Sequence, residues 1–330
     1  MAYQQTCIDD FPEGELKFKM RAAMDFAMDI TSNALAISGK ISSFLNLIQA
    51  TSFSRRLLEA EPSEPGRYVD GNPSWVSHGD RRLLETPATL QFTPNASVAK
   101  DGNGNFTTIS ETVAQVPRKF DSRQMFFGVA RYVMYVKEGV YNEYMEVDVH
   151  AWNLTMYGDG PDKTIVTGSK NYVDGVRTFK SATFDAVGDG FMAVSMAFEN
   201  TAGPAKGQAV ALRVQAARSI FLHCRMQAYQ DTLYAHSHRQ FYRNCLISGT
   251  IDFIFGDAAA AAAVFQKCFL TMRRPQAHHG TVVFAQSRVR VEESTGFVSQ
   301  NCSFVAVLAF TGATHPRLPV QRLLHHHHRP

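Results

Sequence analysis

The sequence predicts a mainly β protein, a right-handed parallel β-helix preceded by a short helical segment. Three observations carry this. The polar residues Gln208, Asp231 and Asp252, each set in apolar sequence, are spaced 23 and 21 residues apart, the length of one coil in a solenoid of stacked coils. Cys224, Cys245 and Cys268 repeat the period, at 21 and 23 residues. From Ala96 to Phe304, short β-rich runs (RYVMYV, TIVTG, SIFLHC, TVVFA) alternate with turn clusters (DGNGN, GDGPD, NTAGPAKG, RRP), and no long helical pattern separates them. Residues one coil apart then lie above one another at a strand spacing of about 4.8 Å. That places Gln208, Asp231 and Asp252 in one vertical row, with Gln230 beside Asp231.

Taken in order, residues 15–48 read as two amphipathic helices. Leu16, Met20, Met24 and Ala27 keep helical spacing, as do Leu35, Ile41, Leu45 and Ile48. Thr31 or Ser32 suits the cap of the second. Residues 49–90 read as linker, broken by Pro62, Pro65, Gly66, Gly71 and Pro73. RRLL occurs there twice, at Arg55–Leu58 and Arg81–Leu84. Exposed basic pairs suit a processing protease, although a solvated charge cluster is the commoner fate of Arg-Arg. Within the β-rich span, the six alanines Ala258–Ala263 favour helix over strand. They either displace the coil after Asp252 or bulge outward. His325–His328 form a histidine run close to the end of the sequence.

Composition narrows the function. Of 330 residues, 45% are hydrophobic and 19% charged, a globular balance rather than a disordered one. No apolar run reaches the ~18 residues of a membrane span, so no membrane partner is expected. A net charge of +3 is mild, and no basic run interleaved with aromatics points to nucleic acid. The cysteines Cys7, Cys224, Cys245, Cys268 and Cys302 form no C-x-x-C pair, so no metal site is expected. Sequons stand at Asn95, Asn105, Asn153 and Asn301. The start MAYQQTC lacks the basic and apolar regions of a signal peptide.

Paired acids invite a catalytic reading, yet one polar residue per coil is also an ordinary structural ladder of β-helices. Tyr229, Tyr234, Phe253 and Phe255 flank the two aspartates, and aromatics beside paired acids suit a sugar-binding cleft. On periodicity alone both readings stand.

QAVALR, YQDTLY and DFIFG, together with GVYNE, GDGPDKTIVTGSKN, TFKSATF, VGDGF and FENTAGPAKGQAVALR, resemble the signature blocks of plant pectin methylesterases (pectinesterases). The resemblance runs from about Trp75 to Phe304. It implies hydrolysis of the methyl esters of pectin (homogalacturonan) to pectate and methanol, without a cofactor. Asp252 would be the nucleophile and Asp231 the acid and later the base. Gln208 and Gln230 would donate to the oxyanion, and Thr178, Gln208, Tyr234 and Phe255 would line the substrate cleft. Cys268 and Cys302 match a family disulfide by their spacing, and Cys224 and Cys245 form a second candidate pair.

The resemblance also divides the chain. Residues 1–50 would be a partial inhibitor-like helical pro-region, 51–84 a linker with RRLL processing sites, 85–304 the β-helix domain and 305–330 a divergent tail. The family's LGRPW block, which supplies an Arg and a sugar-stacking Trp, has no counterpart in these 330 residues. The implied activity is therefore impaired, with Arg273, Arg274 and Arg288 the only nearby basic residues to stand in. The implied setting is the cell wall, with secretion, a monomeric state and a proteinaceous pectinesterase inhibitor as a partner. Two alternatives remain: a non-catalytic pectin-binding remnant, and a glycosidase with paired carboxylates. The glycosidase is the weaker, since polygalacturonase-like NTD is absent and only HHG stands at His278–Gly280.

Overall fold

The computed structural model describes residues 8, 11, 14–25, 27, 68–69, 71–77, 79–81, 92–117, 131–258, 263–288 and 295–307. Their main body is a parallel β-helix of three sheets, with eight, seven and six strands among the described residues. Each coil gives one strand to each sheet in turn. Leu154–Gly158, Thr164–Gly168 and Phe184–Ala186 make one such set, and Ser219–Leu222, Arg225–Gln227 and Leu233–Ala235 make another. Every strand of the solenoid pairs in parallel with its counterparts one coil away, as the coil-length spacing predicts.

The corner between the eight- and seven-stranded sheets shows why short strands recur at this period. Ser195, His223, Asn244, Lys267 and Asn301 all sit there with φ of 52–54°. One left-handed residue turns the chain sharply, and Asn tolerates that region better than most residues. The next residue then points inward. In four successive coils it is Cys224, Cys245, Cys268 and Cys302, so the cysteines stack in one column. All four are free thiols, which differs from the expected Cys268–Cys302 and Cys224–Cys245 pairings. The partners do lie one coil apart, and the Cys268 amide donates to Cys302 Sγ at 3.4 Å. Each inner cysteine has a neighbour both above and below, and each sulfur contacts backbone carbonyls, as Cys245 does Phe221 and Cys268 does Tyr242.

The core is a vertical aromatic stack. Phe221, Tyr242 and Phe265 occupy matching positions in adjacent coils. Their rings lie 4.9 and 4.8 Å apart and nearly parallel, a spacing that in-register coils impose. Tyr242, fully buried, donates its hydroxyl to Gln240 Oε1 at 2.7 Å. The short helix Ile109–Ala114 packs on the first strand of the eight-stranded sheet. Thr108 caps it, and Glu143 accepts from its first amides.

Residues 68–76 lie inside the span read as linker. Tyr68–Val69 and Asn72–Pro73 form a small antiparallel hairpin. Val76, with Tyr68 and Trp75, covers the outer face of the eight-stranded sheet at Ile220, Phe241 and Val264. Arg243 and Gln266 fasten the hairpin through Asn72 Oδ1 and the Gly71 carbonyl, at 2.7 and 2.6 Å. Scattered apolar residues between turn-formers are enough to cover an apolar sheet face. Arg81 of the second RRLL donates to the Ser74 and Val76 carbonyls.

Residues 15–25 are helical, with Leu16 and Phe18 exposed. The second expected helix, the first RRLL, Cys7, Ala259–Ala262 and the histidine run lie outside the described residues. Ala258 and Ala263, the two ends of the alanine run, are buried. Ala263 begins a strand in register with Gln240.

Candidate active site

The site forms where the seven-stranded sheet turns into the six-stranded one. Gln208 and Gln230 bridge in parallel, and the Asp231 amide donates to the Ile251 carbonyl at 3.1 Å. Asp231 therefore stacks on Asp252, and Gln208 on Gln230. The expected row is present but split: Gln208 belongs to the column one residue earlier than the two acids. Asp231 and Asp252 both have left-handed backbones, with φ of 65° and 49°. Asp is among the residues that adopt this region readily, so the corner suits the acids as well as exposing them.

The corner is held from behind. Thr232, fully buried, donates to the Ser248 carbonyl at 2.9 Å. Gly249 passes so close that an added Cβ would lie 2.3 Å from Phe253 Cβ and 2.6 Å from the Tyr229 carbonyl. Only a residue without a side chain fits there.

Burial splits the two acids. Asp231 is 7% exposed, whereas Asp252 is half-buried. Desolvation, and secondarily the charge of Asp252, push the Asp231 carboxyl up to about 8. A carboxyl that holds its proton at neutral pH can donate it to a leaving group, and can later take one from water.

The next residues along the six-stranded sheet form the groove wall. Asp185, Arg213, Tyr234, Phe255 and Ala285 stand in register across five coils. Tyr234 stacks on Phe255 at 4.3 Å and on His236 at 4.5 Å. Thr178 lies in the single-turn helix Thr178–Lys180 rather than in a strand. Its carbonyl accepts from Ser181. Sequence reasoning missed Phe179, Arg213, Asp185 and His236. The signal available was that QAVALR and TFD each place one charged residue at an outward strand position.

Of the three nominated cations, Arg273 packs beside the corner on Tyr229. Its guanidinium lies 3.7 Å from the Tyr229 ring centroid and donates to the Ala228 carbonyl at 2.7 Å. Arg274 is exposed, and the Arg288 amide is bound to Gln286. Among the described residues no group of His, Cys, Asp or Glu is arranged to hold a metal, and no helix is long and apolar enough to cross a membrane.

The pectinesterase family model matches residues 95–316. This chain belongs to the pectinesterase family. It is 48% identical over 306 residues to probable pectinesterase/pectinesterase inhibitor 13 of Arabidopsis thaliana, covering 93% of this chain and 46% of that protein. It is 44% identical over 325 residues to pectinesterase 3 of Citrus sinensis, covering 97% and 51%. The chain thus spans about half the length of these curated relatives. Among solved structures, carrot pectin methylesterase superposes with a TM-score of 0.61 at 46% identity, over 65% of this chain and 64% of that one. A pectin methylesterase solved with a hexasaccharide superposes at 0.55 with 29% identity, over 65% and 67%. The pectinesterase match contains every residue of the stacked corner and the groove wall.

Proposed function

We propose that this chain hydrolyses the methyl esters of pectin, with Asp252 as nucleophile and Asp231 as acid and then base. The observation that carries this reading is the in-register pair itself: two aspartates one hydrogen-bonded coil apart, of which the more buried retains its proton near neutral pH. An Asp252 carboxylate oxygen would attack the ester carbonyl carbon. The side-chain amides of Gln208 and Gln230, one coil apart, would donate to the oxyanion. Collapse would expel methanol as Asp231 gives it a proton, leaving an acyl-Asp252 anhydride. The ionised Asp231 would then take a proton from water, and the hydroxide so formed would release the galacturonate carboxylate and free Asp252. Asp252 and water supply the two attacking electron pairs, Asp231 relays the proton from water to methanol over the cycle, and the released acid gives its own proton to solvent. Thr178, Tyr234 and Phe255 suit the walls of a sugar-binding groove.

Methanol release from highly methylated homogalacturonan tests the proposal. The 330-residue chain is expected to release methanol slowly, because these residues include no LGRPW block. Asp252→Asn is expected to lower kcat by about three powers of ten. Pectin binding with no methanol release at any pH would overturn the hydrolytic reading and favour a pectin-binding role.

The same reading implies a cell-wall setting, with secretion, glycosylation and a monomeric state, where oxidation would join the Cys268 and Cys302 thiols that are free in this structure. The paired naming of relatives as pectinesterase/pectinesterase inhibitor supports a proteinaceous inhibitor as a partner.

A further inference from the structure

Beside the two acids lies an assembly that the hydrolytic steps do not use. Arg213 and Asp185 form an ion pair on the outward face of the six-stranded sheet, one coil apart and 28 residues apart in sequence. They are 4% and 7% exposed. A buried ion pair on a groove wall is costly to desolvate and adds little net stability. An apolar pair would serve the fold as well. The Arg213 guanidinium carbon lies 3.8 Å from the Phe179 ring centroid. Phe179 sits in the single-turn helix Thr178–Lys180 and meets His236 edge-on at 5.9 Å. His236 stacks on Tyr234 and is fixed from the other side by Gln215, 2.7 Å from its Nδ1. Tyr234 then stacks on Phe255. One unbroken series of contacts therefore runs from Asp185 through Arg213, Phe179, His236 and Tyr234 to Phe255.

We propose that Arg213 is a positioning residue. Clamped by Asp185, its planar guanidinium holds Phe179 and the turn 178–180 against the groove, so that Phe179, Tyr234 and Phe255 present one aromatic wall to the sugar rings. Planarity is the point of the argument. A guanidinium can stack on a ring and keep its carboxylate partner at once, whereas an ammonium offers charge without a plane. Charge alone does not explain the choice of residue. Arg213 acts through Phe179 and stays buried, so it touches neither substrate nor reacting atoms. The inference rests on the pectin reading for its substrate but not for its mechanics.

The test uses the 330-residue chain and three variants. Arg213→Lys keeps the charge and removes the plane. Asp185→Asn combined with Arg213→Met removes both charges and keeps the volume, so that misfolding from one unpaired buried charge does not obscure the result. Phe179→Leu removes the ring alone. All three are expected to raise KM for methylated homogalacturonan about tenfold, as loss of a stacked contact implies. They should leave kcat within about threefold. A role in stability alone predicts the opposite: Lys restores the parent KM, or kcat falls while KM holds. Either result overturns the proposal. Amide exchange at Lys180 and Ser181, whose N–H groups bond the Arg177 and Thr178 carbonyls, reads the same clamp without substrate. Faster exchange there in Arg213→Lys, with the core unchanged, supports the clamp. Unchanged exchange refutes it even if the parent chain proves inert on pectin, and so separates this inference from the proposed activity.

Discussion

Holding Asp231 protonated in a buried corner makes stability depend on pH with a defined sign. Its folded-state pKa, about 8, is above the usual carboxylate value near 3.9. The stabilisation is therefore fully present below about pH 4 and is lost as pH rises through about 8. Thermal unfolding followed from pH 4 to pH 8 should show Tm falling. Asp231→Asn, which cannot ionise, should flatten that fall and be the more stable protein at pH 8, by on the order of a few kcal/mol. Parallel curves for the two proteins would mean that the burial argument is wrong. The thiol column allows a second expectation. Hydrogen bonds from Cys245 and Cys302 favour the Cys268 thiolate, while the Cys302 thiol is pushed up by its contact with Cys268 and by burial, so Cys268 is the better attacking group of the two. Refolding in glutathione buffer followed by peptide mapping should yield a Cys268–Cys302 cross-link. A Cys245–Cys268 cross-link as the main species would contradict it. The acids and their aromatic neighbours were legible in sequence because each interrupts an apolar run. Arg213 was not, because the turn Pro204–Lys206 lies between it and Asp185 and stretches their separation to 28 residues, longer than the 21–23 of the readable repeat.

The corner and the strand ends behave as units. Gly249 closes the backbone behind both acids, and its missing Cβ is what lets Tyr229 and Phe253 approach. Gly249→Ala should displace the corner. The expected result is a fall in kcat larger than the accompanying loss of Tm would account for, with far-ultraviolet circular dichroism unchanged. Normal kcat in a well-folded variant would show the close approach to be dispensable. The aromatic stack carries stability instead. Phe221→Ala should cost about 3–5 kcal/mol, measured by denaturant unfolding, because rigid coils above and below cannot collapse into the space. A one-residue error separates the sequence reading from the observed register. Gln208 pairs with Gln230 and not with Asp231, since intervals of 22 and 23 residues are indistinguishable when turns vary in length.

At the scale of the molecule, the solenoid was readable because vertical stacking turns tertiary neighbours into a repeated sequence interval. The cover over the eight-stranded sheet was not, since Tyr68, Trp75 and Val76 carry no periodicity and are recognised only by the apolar face beneath them. That cover makes its own prediction. Deleting residues 68–76 exposes Ile220, Phe241 and Val264, a contiguous apolar surface. The shortened protein should bind a hydrophobic dye and self-associate in sedimentation, while the sheets remain intact. A monomeric, dye-silent product would show that the face tolerates water.

The stacking of Asp231 on Asp252 has one more consequence. In most folds the distance between two catalytic groups depends on side-chain packing across a core, and any repacking can alter it. Here the backbone hydrogen-bond repeat of a parallel sheet acts as a ruler, with one coil as its division. Substitutions in the groove wall can change what is bound and how tightly. They cannot move the two acids apart without breaking a row of amide-to-carbonyl bonds. Such a groove can vary its ligand freely while the backbone spacing of its two acids stays fixed.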